Sequence, residues 1–204
     1  MQIKAVLFDF DGVLLDSFEC SFRGCTEVFR QFKLPLPSRE EFATELRHPY
    51  IDFYRNRGIE ATLEEIFLLH NSVSQHENAK LFPDAPHVIE TLAKQDFHLG
   101  IVSAQRTHIV ERHLAQALIL DHFDYIVAQI EDKTPHIEQF CQNKQLDPSS
   151  VIYIGDFPSD MVYAKRAGVR AVGCLRLPSI RKELVRSGAD HLIRELDEIF
   201  SLLE

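Results

Sequence analysis

The chain has 204 residues, 45% hydrophobic and 26% charged, which is enough for one large domain or for a domain carrying a smaller insert, with a full core and no segment polar enough to read as disordered. With 31 acidic and 22 basic residues the net charge is −9, which disfavours a nucleic-acid surface while leaving room for a local cationic pocket.

The first predicted strand covers residues 3–8 and runs straight into "DFDGVLLDS". Helical patterns follow over 18–32, 39–46, 50–57 and 63–79, punctuated by Pro35, Pro37, Pro49 and Gly58. Asp16 and Ser17 are placed to start the first of them. Roughly 65 residues therefore carry no convincing strand, far more than an ordinary crossover needs. They read as a helical insert over 16–81, interrupting a core made of 1–15 and 82–204; "KLFPDAP" resumes that core. Strands are then predicted over 98–103, 125–128, 151–154 and 170–174, and helices over 86–94, 106–118, 136–144 and 159–167. Pro135 suits a helix start and Gly168 a helix end. Apolar strands alternating with helices indicate an α/β fold with a doubly wound parallel sheet.

The remaining bulk signals are quiet. The four cysteines, Cys20, Cys25, Cys141 and Cys174, form no C-x-x-C pair, and reduced thiols of a cytoplasmic protein are the expectation. No apolar run reaches membrane-spanning length, and "MQIKAVLF" lacks the pattern of a signal peptide. The ten histidines are scattered, and none is assigned to a metal.

Chemistry concentrates where the strands end. In an open parallel sheet, ligands bind beyond the carboxyl ends of the strands. There the sequence delivers Asp9 and Asp11 after the first strand and Ser103 in "GIVSAQ" after the second. It adds Lys133 in "IEDKTP" after the third, and Asp156 and Asp160 in "GDFPSD" after the fourth. Two unit charges 4 Å apart repel by about 4 kcal/mol at an effective dielectric of 20, so the carboxylates need compensation. A hard cation with oxygen ligands, most simply Mg²⁺, supplies it and can link carboxylates to a phosphoryl group. An ammonium and a hydroxyl suit the remaining phosphate oxygens. One aspartate can attack phosphorus, and a second, two residues on, can handle the leaving group's proton.

"DFDGVLLDS", "VS" closing the second strand, the isolated lysine before a helix and "GDFPSD…AKRAGVRAVG" resemble the four motifs of the haloacid dehalogenase-like hydrolase superfamily. The insert resembles the helical cap of its phosphoglycolate phosphatase and β-phosphoglucomutase-like branch. This resemblance implies that Asp9 is the nucleophile and a metal ligand. Asp11 would be general acid, then base, with its backbone carbonyl on the metal. Ser103 and Lys133 would bind the phosphoryl group, Asp156 would complete the metal ligands, and Asp160 would support the metal's waters or the loop. Gly12 and Val13 would begin the hinge towards the insert. Ala104 stands where many relatives have Asn, and Thr134 separates Lys133 from Pro135 where relatives often have Pro directly. Among the insert's cations Arg23, Arg47, His48, Arg55 and Arg57, the "LRHPY" break favours Arg47 and His48 as substrate-reading residues.

The implied activity is a Mg²⁺-dependent phosphatase acting on a small phosphorylated metabolite through an aspartyl-phosphate, as a monomer or homodimer, with no nucleic-acid or membrane partner. A phosphomutase of the same fold and a non-catalytic binding protein are the alternatives. Blander roles stand beside each site residue: Asp11-Gly12 as an ordinary turn, Ser103 as a loop hydroxyl, Lys133 as a solvated side chain, and Asp160 as a helix cap.

Overall fold

A computed structural model describes residues 2–46 and 49–203. The chain divides into two compact units, Met1–Asp16 with Lys80–Glu204, and Ser17–Ala79.

The first unit opens with β1 (Ala5–Phe8), whose four apolar residues are all buried, and a two-residue strand β2 (Leu15–Asp16). The second unit carries helices α1 (Phe18–Gln31), α2 (Arg39–Glu45), α3 (Ile51–Arg55) and α4 (Leu63–Ser74). The chain re-enters the first unit at β3 (Lys80–Leu81), which pairs antiparallel with β2. It continues through α5 (Ala85–Lys94), β4 (His98–Val102), α6 (Thr107–Gln116), β5 (Tyr125–Val127) and α7 (Thr134–Asn143). It closes with β6 (Val151–Gly155), α8 (Pro158–Arg166), β7 (Arg170–Cys174), α9 (Arg181–Arg186) and β8 (His191–Ile193).

Six of these strands form one parallel sheet in the order β5-β4-β1-β6-β7-β8. The order explains the sequence pattern. β1, β4 and β6 sit in the middle with covered faces, so they can be apolar at nearly every position. β5 and β8, at the edges, are only partly buried. Ala5, Leu7, Val102, Phe140, Tyr153 and Met161 belong to one continuous core on the sheet.

The helical unit has its own core of Cys25, Val28, Phe29, Phe42, Phe53, Tyr54, Ile59 and Ile66. α1 and α4 approach closely at Gly24, where a Cβ would lie 2.5 Å from the His70 ring. Two reciprocal caps start α2 and α4. Ser38 Oγ accepts from the Glu41 N–H at 3.1 Å while Glu41 accepts from the Ser38 N–H at 2.7 Å, and Thr62 and Glu65 repeat the arrangement.

The parallel α/β reading holds, with four elements beyond it. β2 and β3 have two residues each and exist only as a pair, β8 has three residues, and α9 has six; none is long enough to show periodicity. α4 stops at Ser74 instead of continuing to residue 79 because Gln75 takes a left-handed backbone, φ +54°, and a single tight turn over His76–Asn78 follows. Ser17 does hold the N-cap position of α1, but its side chain makes no capping hydrogen bond.

Candidate active site

Phe8 is in register with Ile101 on one side and Ile154 on the other, so Asp9 leaves the sheet level with Val102 and Gly155. The next residues of the neighbouring strands are Ser103 and Asp156. From β1 the chain builds outward to β4 and β5 on one side and then crosses back to β6 on the other, so the strand order reverses beside β1, which is where an open α/β sheet forms its ligand crevice.

The loop after β1 is tight. Leu14 and Leu15 both donate their N–H groups to the Phe10 carbonyl, and Gly12 donates to Leu15. Gly12 has φ +71°, and a Cβ there would fall 1.9 Å from Asp156 Oδ2. The Asp-Gly turn is thus real and is also the surface against which Asp156 packs. Glycine is required twice over, by backbone angle and by space.

Lys133 occupies the N-cap position of α7 and is only 4% exposed. Its ammonium lies 2.8 Å from Asp9 Oδ2 and 2.6 Å from Asp160 Oδ1, and it donates to the Tyr153 hydroxyl at 2.9 Å. That hydroxyl lies 3.1 Å from the Val102 carbonyl, to which it donates. Lys133 is therefore tied both to the end of β4 and to two buried acids. Asp9 Oδ1 accepts the Phe10 N–H at 2.7 Å. Asp160, 1% exposed, uses Oδ2 to accept the Phe157 N–H at the start of α8, so it caps that helix and meets Lys133 at once.

Oxygens of Asp9, Asp156 and Asp160 lie within 4.8 Å of one another, giving three carboxylates for one ammonium. Burial holds the Asp156 carboxyl well above the usual carboxylate range, and the charges of Asp9 and Asp160 push it further against the opposing pull of Lys133. Asp160 is also raised, mainly by burial, with Lys133 opposing. Asp156 Oδ1 is buried and accepts no hydrogen bond. An orphaned oxygen beside excess negative charge, in a donor set made wholly of oxygen, fits a small hard cation. The Asp11 side chain is not in this trio; Asp160 is.

Asp11 turns the other way. Its Oδ2 accepts from Nε2 of Gln105 at 2.9 Å, and the Gln105 backbone N–H donates to Ser103 Oγ at 3.3 Å. Ser103 is buried at the tip of β4, and its own N–H donates to the Val127 carbonyl. Gln105 and Tyr153 escaped the sequence reading. The only trace of the first is its place two residues past Ser103, and the second reads as another apolar strand position. Arg47 and His48 lie outside the described residues. Of the other insert cations, Arg57 stacks on the Phe53 ring at 3.9 Å and pairs with Glu45 at 2.6 Å, and Arg23 donates to Gln75.

The family model for haloacid dehalogenase-like hydrolases matches residues 6–174. Pyrophosphatase PpaX of Oceanobacillus iheyensis is 25% identical over 212 residues, a match covering 100% of this chain and 98% of that protein. Among solved structures, a haloacid dehalogenase-like family protein of Streptococcus pneumoniae superposes with a TM-score of 0.84 at 22% identity, covering 99% of both chains. A hydrolase of Pseudomonas syringae gives 0.78 at 20% identity, over 97% of this chain and 96% of its own. A sheet that brings its acids and lysine to one crevice, and a family match running from β1 to the end of β7, make this chain a member of the haloacid dehalogenase-like hydrolase family.

Proposed function

We propose that the protein is a Mg²⁺-dependent phosphatase that hydrolyses a small phosphorylated metabolite by way of a phospho-aspartate. One observation carries this reading: oxygens of Asp9, Asp156 and Asp160 gather within 4.8 Å of one another, Lys133 pairs with Asp9 and Asp160, and a buried Asp156 oxygen is left unbonded. Asp9 and Asp156, with the backbone carbonyl of Asp11, would hold the ion. When bound, Mg²⁺ offsets the carboxylate charge and draws a phosphoryl oxygen towards them.

The chain's own groups do the rest. An Asp9 carboxylate oxygen attacks phosphorus as the bond to the leaving oxygen breaks, and Asp11 gives that oxygen its proton. Asp11, now a carboxylate, takes a proton from water as the water oxygen attacks the phospho-aspartate and the Asp9–phosphorus bond breaks. Lys133 holds the charge of Asp9 and of the phosphoryl oxygens, with Ser103 as a further donor to those oxygens. Asp160 and Tyr153 keep Lys133 aimed at Asp9. Arg47 and His48 are the proposed readers of the rest of the substrate. No helix among the described residues is long and apolar enough to cross a membrane.

The test is phosphate release with Mg²⁺ and with chelator, from an aryl phosphate, from inorganic pyrophosphate and from a panel of phosphorylated metabolites. Wild type is expected to be active only with the ion, and Asp9→Asn is expected to lose at least about 10⁴-fold, as enzymes do when the attacking group is removed. Equal rates in the two proteins would refute the nucleophile.

A further inference from the structure

Gln105 is 8% exposed and fixed from several directions. Its side-chain oxygen accepts the Arg106 N–H at 2.9 Å, which sets the orientation of the amide and turns the NH₂ group towards Asp11 Oδ2, 2.9 Å away. Its backbone N–H donates to Ser103 Oγ, and its carbonyl accepts the Gln129 N–H at 2.9 Å. Gln129 itself holds a left-handed backbone, φ +61°, and its side-chain oxygen accepts from the Thr107 hydroxyl at 3.0 Å. The loop after β4 is thus braced against the loop after β5, and the product of that bracing is one N–H aimed at Asp11.

We propose that Gln105 is a positioning residue for Asp11, holding its carboxyl in the orientation for proton transfer; the inference rests on the phosphatase reading above. An amide N–H can donate to a carboxylate oxygen and, less strongly, to the carbonyl oxygen of a carboxylic acid. The grip on Oδ2 therefore survives both halves of the reaction, and the same opposite oxygen, Oδ1, gives the proton and later takes it back. When the phosphorus–oxygen bond to the leaving group breaks, its electron pair stays on the leaving oxygen, the Asp11 proton moves there, and Asp11 is left as a carboxylate still held by Gln105. A Gln105 side chain that mattered only to the fold would not distinguish one leaving group from another. A residue that aims the acid must do so, because an acidic phenol departs without a proton and an alkoxide does not.

The experiment compares wild type with Gln105→Leu and Gln105→Glu on aryl phosphates of graded phenol acidity and on an alkyl phosphate. The glutamate variant keeps an acceptor for the Arg106 N–H and loses the donor to Asp11. Both variants are expected to lose about 10–100-fold in kcat/KM with the alkyl phosphate and to stay within about 3-fold with the most acidic phenol, a part of the 10²–10⁴ that a positioned acid contributes. The ratio kcat/KM covers only the steps up to the phospho-aspartate, so it separates the acid role of Asp11 from the later hydrolysis, which is common to every ester. A loss in kcat/KM that is uniform across leaving groups overturns the assignment. Failure of both variants to fold, read by circular dichroism, overturns it too by making Gln105 a structural residue. Inactive wild type on every phosphate ester would instead defeat the phosphatase reading itself, so the two failures are distinguishable.

Discussion

In the α/β unit, buried polar side chains include two acids and a lysine that face one another, Asp9, Asp160 and Lys133. In the helical unit the buried polar residues are Ser17, Thr26, Ser74 and His76, and no acidic or basic residue other than His76 is buried among the described ones. Its interior is aromatic instead: Phe42 meets Phe18, Phe22 and Phe53 at 5.6–6.2 Å between ring centres, and Phe29 meets Tyr54 at 5.8 Å. Its charges sit outside, as the Arg39–Glu19 and Arg57–Glu45 pairs and the two capping glutamates. Burying charge is costly unless it is paired and hydrogen-bonded, whereas burying rings stabilises directly. The contrast therefore separates a region whose interior is arranged for chemistry from one whose interior is arranged for packing.

The harshest challenge to this contrast is Lys133→Ala. It leaves Asp9 and Asp160 buried without their ammonium, so a destabilisation of about 3–5 kcal/mol is expected along with a fall of about 10²–10³-fold in phosphate release. Denaturant melts and the phosphate assay measure the two effects. Activity within a few-fold of wild type would mean that the lysine serves the fold alone.

Phe29→Ala probes the other region. Phe29 is 1% exposed, and truncation is expected to cost about 3–5 kcal/mol through lost burial and a cavity. Hydrogen exchange should accelerate in residues 17–79 while β1, β4 and β6 keep their protection. Equal loss in both units would show a single cooperative structure and blunt the comparison.

Asp156→Asn gives the smallest expected change, and its sign is the informative part. The folded carboxyl binds its proton more tightly than the unfolded one, whose ordinary value is 3.8. Its stabilising contribution is therefore complete below that value and is lost as pH rises through the raised folded value. In chelator, the Asp156→Asn variant should melt above wild type by a margin that widens as pH rises above the ordinary carboxylate value, at roughly 2–4 °C for each kcal/mol in a chain of this size. Adding Mg²⁺ should raise the wild-type midpoint and leave the variant nearly unmoved. A margin that narrows with rising pH would mean that the carboxylate is satisfied without a cation.

Much of the fold was legible because its signals are local. Continuous apolar runs such as "AVLF" and "VIYIG" declare strands covered on both faces, and a prolonged absence of such runs declares the helical insert. Asp9 and Asp156 were legible because each follows a strand directly. Asp160 was harder to place: a position three residues into a helix suits a cap, and only the folded chain shows that one carboxylate both caps α8 and meets Lys133. Tyr153 was hidden by its setting, since an aromatic in a buried strand carries no sign that its hydroxyl will lie between Lys133 and the end of β4.

The sequence by itself determined the strand and helix alternation and that Asp9, Ser103 and Asp156 stand at strand ends, because burial on both faces and strand-end turns leave their mark within a few neighbouring residues. Only the tertiary structure decided that Asp160 joins Asp9 and Asp156, that Asp156 is left with an unbonded oxygen, and that Gln105 reaches Asp11 across 94 positions of chain. Those contacts are set by how separate strands are ordered in the sheet and by what a side chain meets once its loop is pinned, and neither is written in the spacing of residues along the chain.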